Sequence, residues 1–234
     1  MIPSKENMEL ENMVGEWLKN EVAPVCGEYD EKNEFPEKLY AQMTELGLNI
    51  MCTPEEYGGL DLSAVAQTLI AEQLGRYEVG LGSAVGANAS ATHLMNQFGS
   101  PEQKKIFFDI LVNGGWAAFC LTEPNAGSDA GSVATTAEET EDGYVINGTK
   151  CFITNGGIAG VYLVFASMDR SLGVKGISCF LVERDREGIS IGKHENKMGI
   201  RLSNTTEVVL DHVKVPKDHL IGVQGKGYKM AMAT

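Results

Sequence analysis

Asp142-Gly143-Tyr144-Val145-Ile146-Asn147-Gly148-Thr149-Lys150-Cys151-Phe152-Ile153-Thr154 decides how the second half of the chain folds. β-Branched and aromatic residues fill both flanks, and Asn147-Gly148 lies between them. Asn-Gly is the strongest short-range hairpin signal, because both positions of the turn need positive φ. The stretch is expected to be a strand, a two-residue turn and a second strand. Further along, residues 161–166, 176–182, 189–191 and 207–215 are β-branched runs separated by Gly, Asp and Asn, and Pro216 closes the series. Residues 116–217 therefore predict an antiparallel β-barrel or sandwich of about six to eight short strands.

Before Trp116 the period changes from two to between three and four. Phe35-Pro36-Glu37 opens a run in which Leu39, Met43 and Leu46 recur at helical steps, and Gly47 closes it. Ser100, Pro101 and Gln103 make a capping box ahead of an apolar face at Ile106, Phe107, Ile110 and Leu111. Between these lie an amphipathic run at residues 65–74 and a stretch rich in Ala, Gly and Ser at residues 79–98. Small residues there favour close packing against neighbours or a ligand. Residues 1–115 read as a bundle of about five helices. The tail from Gly225 to Thr234 starts a helical pattern without a cap, so residues 218–234 read as the first turns of a third, helical domain lying beyond the chain. The fold class is thus multidomain α and β: a helical bundle, then an antiparallel β-domain, then the start of a C-terminal helix.

Bulk properties narrow the function. With 43% hydrophobic and 22% charged residues, the chain is globular rather than disordered. A net charge of −13 argues against nucleic-acid binding, which needs a basic face to displace phosphate counterions. It leaves a phosphate-bearing cofactor open, because backbone N–H groups hold phosphate without lysine. Cys26, Cys52, Cys120, Cys151 and Cys179 are scattered and odd in number, as expected of reduced thiols rather than a disulfide framework or a zinc site. The N-terminus MIPSKENMELENMVGEW is acidic and has no apolar core, so no secretory signal is expected. The longest apolar stretch, at 161–168, is too short to span a bilayer, and a cytoplasmic location is expected. His93, His194, His212 and His219 have no metal-ligand spacing, and no G-x-S-x-G elbow exists. Gly80, Gly82 and Gly86 miss the dinucleotide fingerprint by one residue and follow no strand.

Phe119-Cys120-Leu121-Thr122-Glu123-Pro124-Asn125-Ala126-Gly127-Ser128-Asp129 sits at the junction of the two halves, where clefts between domains hold ligands. It begins as an apolar strand and becomes a turn of small polar residues. Composition alone leaves two readings: a decorated β-turn, or a turn whose N–H groups and hydroxyls face a pyrophosphate or a planar heterocycle.

Taken together with other segments, this stretch resembles the L-T-E-P-x-A-G-S-D motif of the acyl-CoA dehydrogenases. Gly148 to Gly156 resembles that family's G-x-K-x-[WF]-I-T-N-G strand, and Lys197 to Thr205 its K-M-G-x-R-x-S-[DN]-T loop. Val213-Lys214-Val215-Pro216 resembles V-x-V-P, and Pro54-Glu55-Glu56-Tyr57-Gly58-Gly59 resembles the P-E-E-Y-G-G turn. The matches run in order over essentially the whole chain.

The resemblance implies a helical N-terminal domain, a central β-domain and a C-terminal four-helix domain, with FAD as cofactor. It implies that Thr122 hydrogen-bonds the flavin ring and that the backbone at Leu121 lines it. Phe152 would pack on the ring and, with Ile153 and Thr154, form the second segment of the cradle, Thr154 bonding its polar edge. Phe119 takes a position often held by another aromatic, and Phe152 one often held by Trp. Gly127 and Ser128 would lie near the cofactor and the CoA portion of the substrate, Ser203 along the pantetheine, and Leu81 and Val85 on the acyl pocket. The implied reaction is α,β-dehydrogenation of an acyl-CoA thioester, with electrons passed to an electron-transfer flavoprotein, in a protein that is tetrameric when full length. The family's catalytic glutamate comes from the C-terminal domain, so no catalytic residue is expected here, and Glu123 reads as structural. The chain by itself is then expected to bind flavin poorly, to turn over little and to expose apolar surface. A same-fold acyl-CoA oxidase or flavin monooxygenase component, and a non-catalytic fragment that only binds acyl-CoA or a partner, fit the same pattern.

Overall fold

Helix signals in the first half become α1 (Lys5–Trp17), α2 (Cys26–Lys32), α3 (Glu37–Glu45), α4 (Ala64–Tyr77), α5 (Val79–Phe98) and α6 (Pro101–Val112) in the computed structural model, which describes residues 3–234. The first two residues of the expected helical segment lie outside the described residues. A π-helical segment, Leu18–Val22, extends α1. For residues 1–115 the sequence leads to about five helices, one fewer than the six α-helices described between Lys5 and Val112. The short α2 buries no side chain and so carries no apolar stripe to read. At α6 the Ser100 and Gln103 capping bonds are both formed. Gly47 ends the α3 region at φ +73°, a conformation that costs glycine little. No helix among the described residues is long and apolar enough to cross a membrane.

The expected Asn-Gly hairpin is not formed. Residues Gly143–Thr154 make one continuous strand, β3, which pairs antiparallel with β2 (Thr136–Glu139) and with β7 (Thr205–Pro216). The tertiary neighbours explain why Asn147 and Gly148 are there. β7 bulges opposite Asn147, leaving His212 at φ +54°, and Asn147 Oδ1 accepts the His212 N–H at 2.8 Å. A Cβ on Gly148 would come within 2.3 Å of the Thr135 hydroxyl. Here glycine serves close approach and asparagine serves a bulge, so local turn propensity is overridden.

The sheet runs β6 (Ile189–His194), β7, β3, β2, β4 (Val161–Ser167), β5 (Ile177–Glu183), β8 (Leu220–Ile221), and β1 (Ala117–Cys120) adds to β4. It is mixed rather than purely antiparallel: β1 and β2 both pair parallel to β4. All seven residues of β4 are buried because it has a core on each face. Tyr162 and Val164 pack with Phe180, Val208 and Val213 inside the curled sheet. Leu163 and Phe165 pack with Leu94, Phe107 and Phe108 of α5 and α6. The tail forms α7 (Gly227–Ala233), whose Met230 joins this second core.

Buried asparagines join the helical and β halves. Asn88 of α5 donates to Asn49 O at 2.6 Å and accepts the Ala117 N–H of β1 at 2.8 Å. Asn49 donates to Leu111 O and Gly115 O. Asn155, at the end of β3, donates to Ala84 O of α5 at 2.9 Å. Each bond supplies a partner to a backbone group that would otherwise be desolvated. Asn88→Ala strands the Ala117 N–H and the Asn49 carbonyl, and is expected to cost about 2–4 kcal/mol in urea unfolding.

At the end of the β-domain, the buried His219 ring meets Glu183 Oε1 and Asp218 Oδ1, each at 3.0 Å, and Arg186 also contacts it. Burial would lower the His219 pKa, but the two carboxylates outweigh it and hold it above the usual histidine range. Glu183, partnered by His219 and Arg186 against the effect of its own burial, is held down to about 2. A raised folded pKa contributes stability that is full below about pH 6.5 and is lost as pH rises through the folded value. His219→Gln should remove that alkaline loss, seen as a urea midpoint that falls less as pH rises above about 6.5.

Candidate functional site

Beyond Cys120 the chain leaves β1 and turns back at once. Glu123 and Ala126 exchange both backbone bonds, each 3.1 Å, and Pro124 sits between them in the turn. Beneath this turn lies a buried ion pair. Lys150 Nζ, with no side-chain exposure, donates to Glu123 Oε1 at 2.6 Å, Phe165 O at 2.6 Å and Leu121 O at 3.2 Å. Glu123 also accepts the N–H groups of Ala134 at 2.6 Å and Thr135 at 3.0 Å. Burial lowers the Lys150 pKa, with Glu123 opposing it. Burial would raise Glu123, but Lys150 and the donors from Thr135 and Ala134 keep its carboxyl below the usual range. The 2.6 Å contact makes the two a buried ion pair.

Directly after Lys150, β3 bulges. Its register with β7 passes from Lys150↔Val208 to Ile153↔Thr206, so Cys151 and Phe152 together face Glu207 alone. The Cys151 N–H turns away from β7 and donates to Thr122 O at 3.0 Å. Phe152 is left at φ +55° with 61% of its surface exposed. A bulky residue in the left-handed region is an outlier that costs about 1–3 kcal/mol, and such strain concentrates at functional sites.

The fold thus brings together Leu121, Thr122 and the Phe152-Ile153-Thr154 segment, which are about thirty residues apart in the chain. Leu121, Thr122 and Thr154 are half-buried, and Ile153 is in the core inside the sheet. Phe119 is half-buried on the helix-facing side of β1, its ring 4.8 Å from that of Phe165. Gly127 and Ser128 are exposed on the far limb of the turn, and a Cβ at Gly127 would meet nothing within 4 Å. Ser203 stands in a different place. It is buried, its carbonyl accepts Lys197 Nζ at 2.8 Å, and its N–H lies 3.1 Å from where a Cβ on Gly80 of α5 would sit. Leu81 and Val85 belong to the helical core with Leu202, so their side chains meet other core side chains.

Lys150 is the residue that reading the sequence for site chemistry passes over. Its signal was a lysine between Thr149 and Cys151 in a strand whose neighbours are otherwise apolar or small. Only the fold shows that the glutamate of the turn after β1, rather than solvent, takes its charge. No group of three or more His, Cys, Asp or Glu among the described residues could hold a metal ion.

Residues 4–115 match the acyl-CoA dehydrogenase N-terminal domain and residues 118–213 match the acyl-CoA dehydrogenase middle domain. The chain belongs to the acyl-CoA dehydrogenase family. It is 40% identical, over 233 residues, to the short-chain-specific acyl-CoA dehydrogenase of Clostridium acetobutylicum, a match spanning 99% of this chain and 62% of that protein. Butyryl-CoA dehydrogenase from Megasphaera elsdenii superimposes with a TM-score of 0.94 at 37% identity, covering 100% of this chain and 62% of that one. The acyl-CoA dehydrogenase of Bacillus anthracis complexed with FAD gives 0.88 at 38% identity, covering 98% of this chain and 40% of that one. The chain therefore spans about three fifths of the length of the curated relatives it matches.

Glu123→Gln leaves Lys150 buried without a counter-charge and is expected to cost about 3–5 kcal/mol in urea unfolding at pH 7. The Glu123 contribution is present above its unfolded value, about pH 4.3, and is lost as pH falls through the lower folded value. The gap between parent and variant should accordingly shrink below about pH 4.

Proposed function

We propose that this chain holds FAD between the Thr122 turn and Phe152, and that it forms the flavin-binding part of an enzyme that converts an acyl-CoA thioester to its trans-2-enoyl-CoA. The observation that carries this reading is Phe152: a flat ring, 61% exposed and held at φ +55° by a bulge whose N–H is tied to Thr122 O. An aromatic face kept out of the core at a cost in backbone strain fits a planar partner. The residues present therefore fit the isoalloxazine group of the cofactor. Phe152 would give the ring a stacking face, Thr122 and Thr154 would give its polar edge hydroxyl and backbone donors, and Leu121 would give it an apolar border. Phe119 would support the turn through Phe165. Gly127 and Ser128, on the open limb of the turn, are assigned to the cofactor and the CoA side of the substrate. Ser203, Leu81 and Val85 are assigned to the wall behind the substrate, which they shape through packing.

When bound, FAD supplies the redox chemistry of α,β-desaturation. The contribution of this chain is orientation and the exclusion of water. Glu123 is not assigned as the base, because its carboxylate oxygens are taken by Lys150, Ala134 and Thr135 and its side chain is 3% exposed. Family membership supports an electron-transfer flavoprotein as electron acceptor and a homo-oligomeric whole protein, and both belong to this proposal.

Titrating the chain with FAD and following quenching of flavin fluorescence tests the reading. Weak but saturable binding, lowered about tenfold further by Thr122→Ala and by Thr154→Ala, is expected. Absence of binding, or binding indifferent to both substitutions, would sink the assignment.

A further inference from the structure

Lys150 does more than neutralise a buried glutamate. Its ammonium holds the Leu121 carbonyl and the Glu123 side chain, the two residues that flank Thr122. The next residue, Cys151, holds the Thr122 carbonyl itself. The Glu123 carbonyl accepts from Ala126. Three consecutive carbonyls are therefore fixed, two of them by neighbouring residues of β3, and the residue that follows on β3 is the exposed Phe152. The third Lys150 donor goes to Phe165 O on β4, the strand that carries β1 in parallel. One buried side chain thus ties the strand before the turn, the turn and the strand bearing Phe152 to a common origin.

We infer that Lys150 is a positioning residue, which sets the Thr122 turn against Phe152 so that the two present one fixed geometry to the cofactor. What is positioned rests on the FAD reading above; the positioning of the turn itself does not. A lysine suits the task because a compact ammonium points donors in three directions, whereas a guanidinium is planar and longer.

A merely structural pair and a positioning pair differ in what their joint removal does. Lys150→Met with Glu123→Gln takes out both charges at similar volume, a change that is often near neutral for folding. Gln keeps an acceptor for only one of the two N–H groups, Ala134 and Thr135, that the separate Glu123 oxygens hold, and Leu121 O loses its donor. The full chain carrying both substitutions would be compared with the parent in urea midpoint, in amide hydrogen exchange of peptides covering residues 120–135, and in FAD affinity with the visible circular dichroism of bound flavin. The expected result is a retained midpoint, faster exchange confined to 120–135, a dissociation constant for FAD raised about tenfold, and an altered flavin dichroism band. A folded double variant with parental exchange, affinity and dichroism would overturn the inference. Should the parent fail to bind FAD, the flavin reading falls while the exchange measurement still decides the role of Lys150, parental protection overturning it. Should the double variant unfold, Lys150→Arg, which keeps the charge and changes the donor geometry, carries the same readouts and is expected to shift them in the same direction.

Discussion

Taking Lys150 and Glu123 out of water costs several kcal/mol per ion, and their attraction repays this only when the remaining donors and acceptors are also met. That requirement shapes the β-domain around them. Lys150 needs acceptors on its remaining N–H groups, which places Leu121 O and Phe165 O against it. Glu123 needs further donors, which brings the Ala134 and Thr135 amides under the turn. β1, β3, β4 and the segment entering β2 are thereby held in one mutual arrangement. Apolar packing alone would have tolerated small slippages among them; a satisfied buried charge does not.

This arrangement also makes the strain at Phe152 sustainable. A β-bulge releases one N–H from the ladder, and here the released group, that of Cys151, finds the Thr122 carbonyl. The N–H that the bulge releases is therefore partnered, while Phe152 is left in the left-handed region and out of the core. Local strain at one exposed aromatic is offset by surroundings that leave the backbone no alternative.

The helical half contributes rigidity at longer range. Asn88, Asn49 and Asn155 spend their amides on backbone groups of α5, α6 and β1 and on the segments between them. The α5 helix therefore cannot slide along β1 without stranding buried polar groups. A hinge between the halves would need the opposite: few and solvated contacts. The candidate cradle is built on a rigid junction, which suits any site that holds its ligands in fixed register.

The sequence by itself determined the class of each half, the capping of α6, the family, and the two segments that meet at the candidate site. These are properties of local period, cap chemistry and motif order, which survive in one dimension. It also led to a hairpin at Asn147-Gly148, to a purely antiparallel sheet and to one helix too few. Those are decided by partners distant in the chain: Thr135 crowding Gly148, His212 bulging opposite Asn147, and β4 receiving β1 and β2 in parallel. In the same way Lys150 is legible as a residue but not as a clamp. The reason is physical: a charge, a glycine or an asparagine states what it needs, and only the folded chain shows which neighbour supplies it.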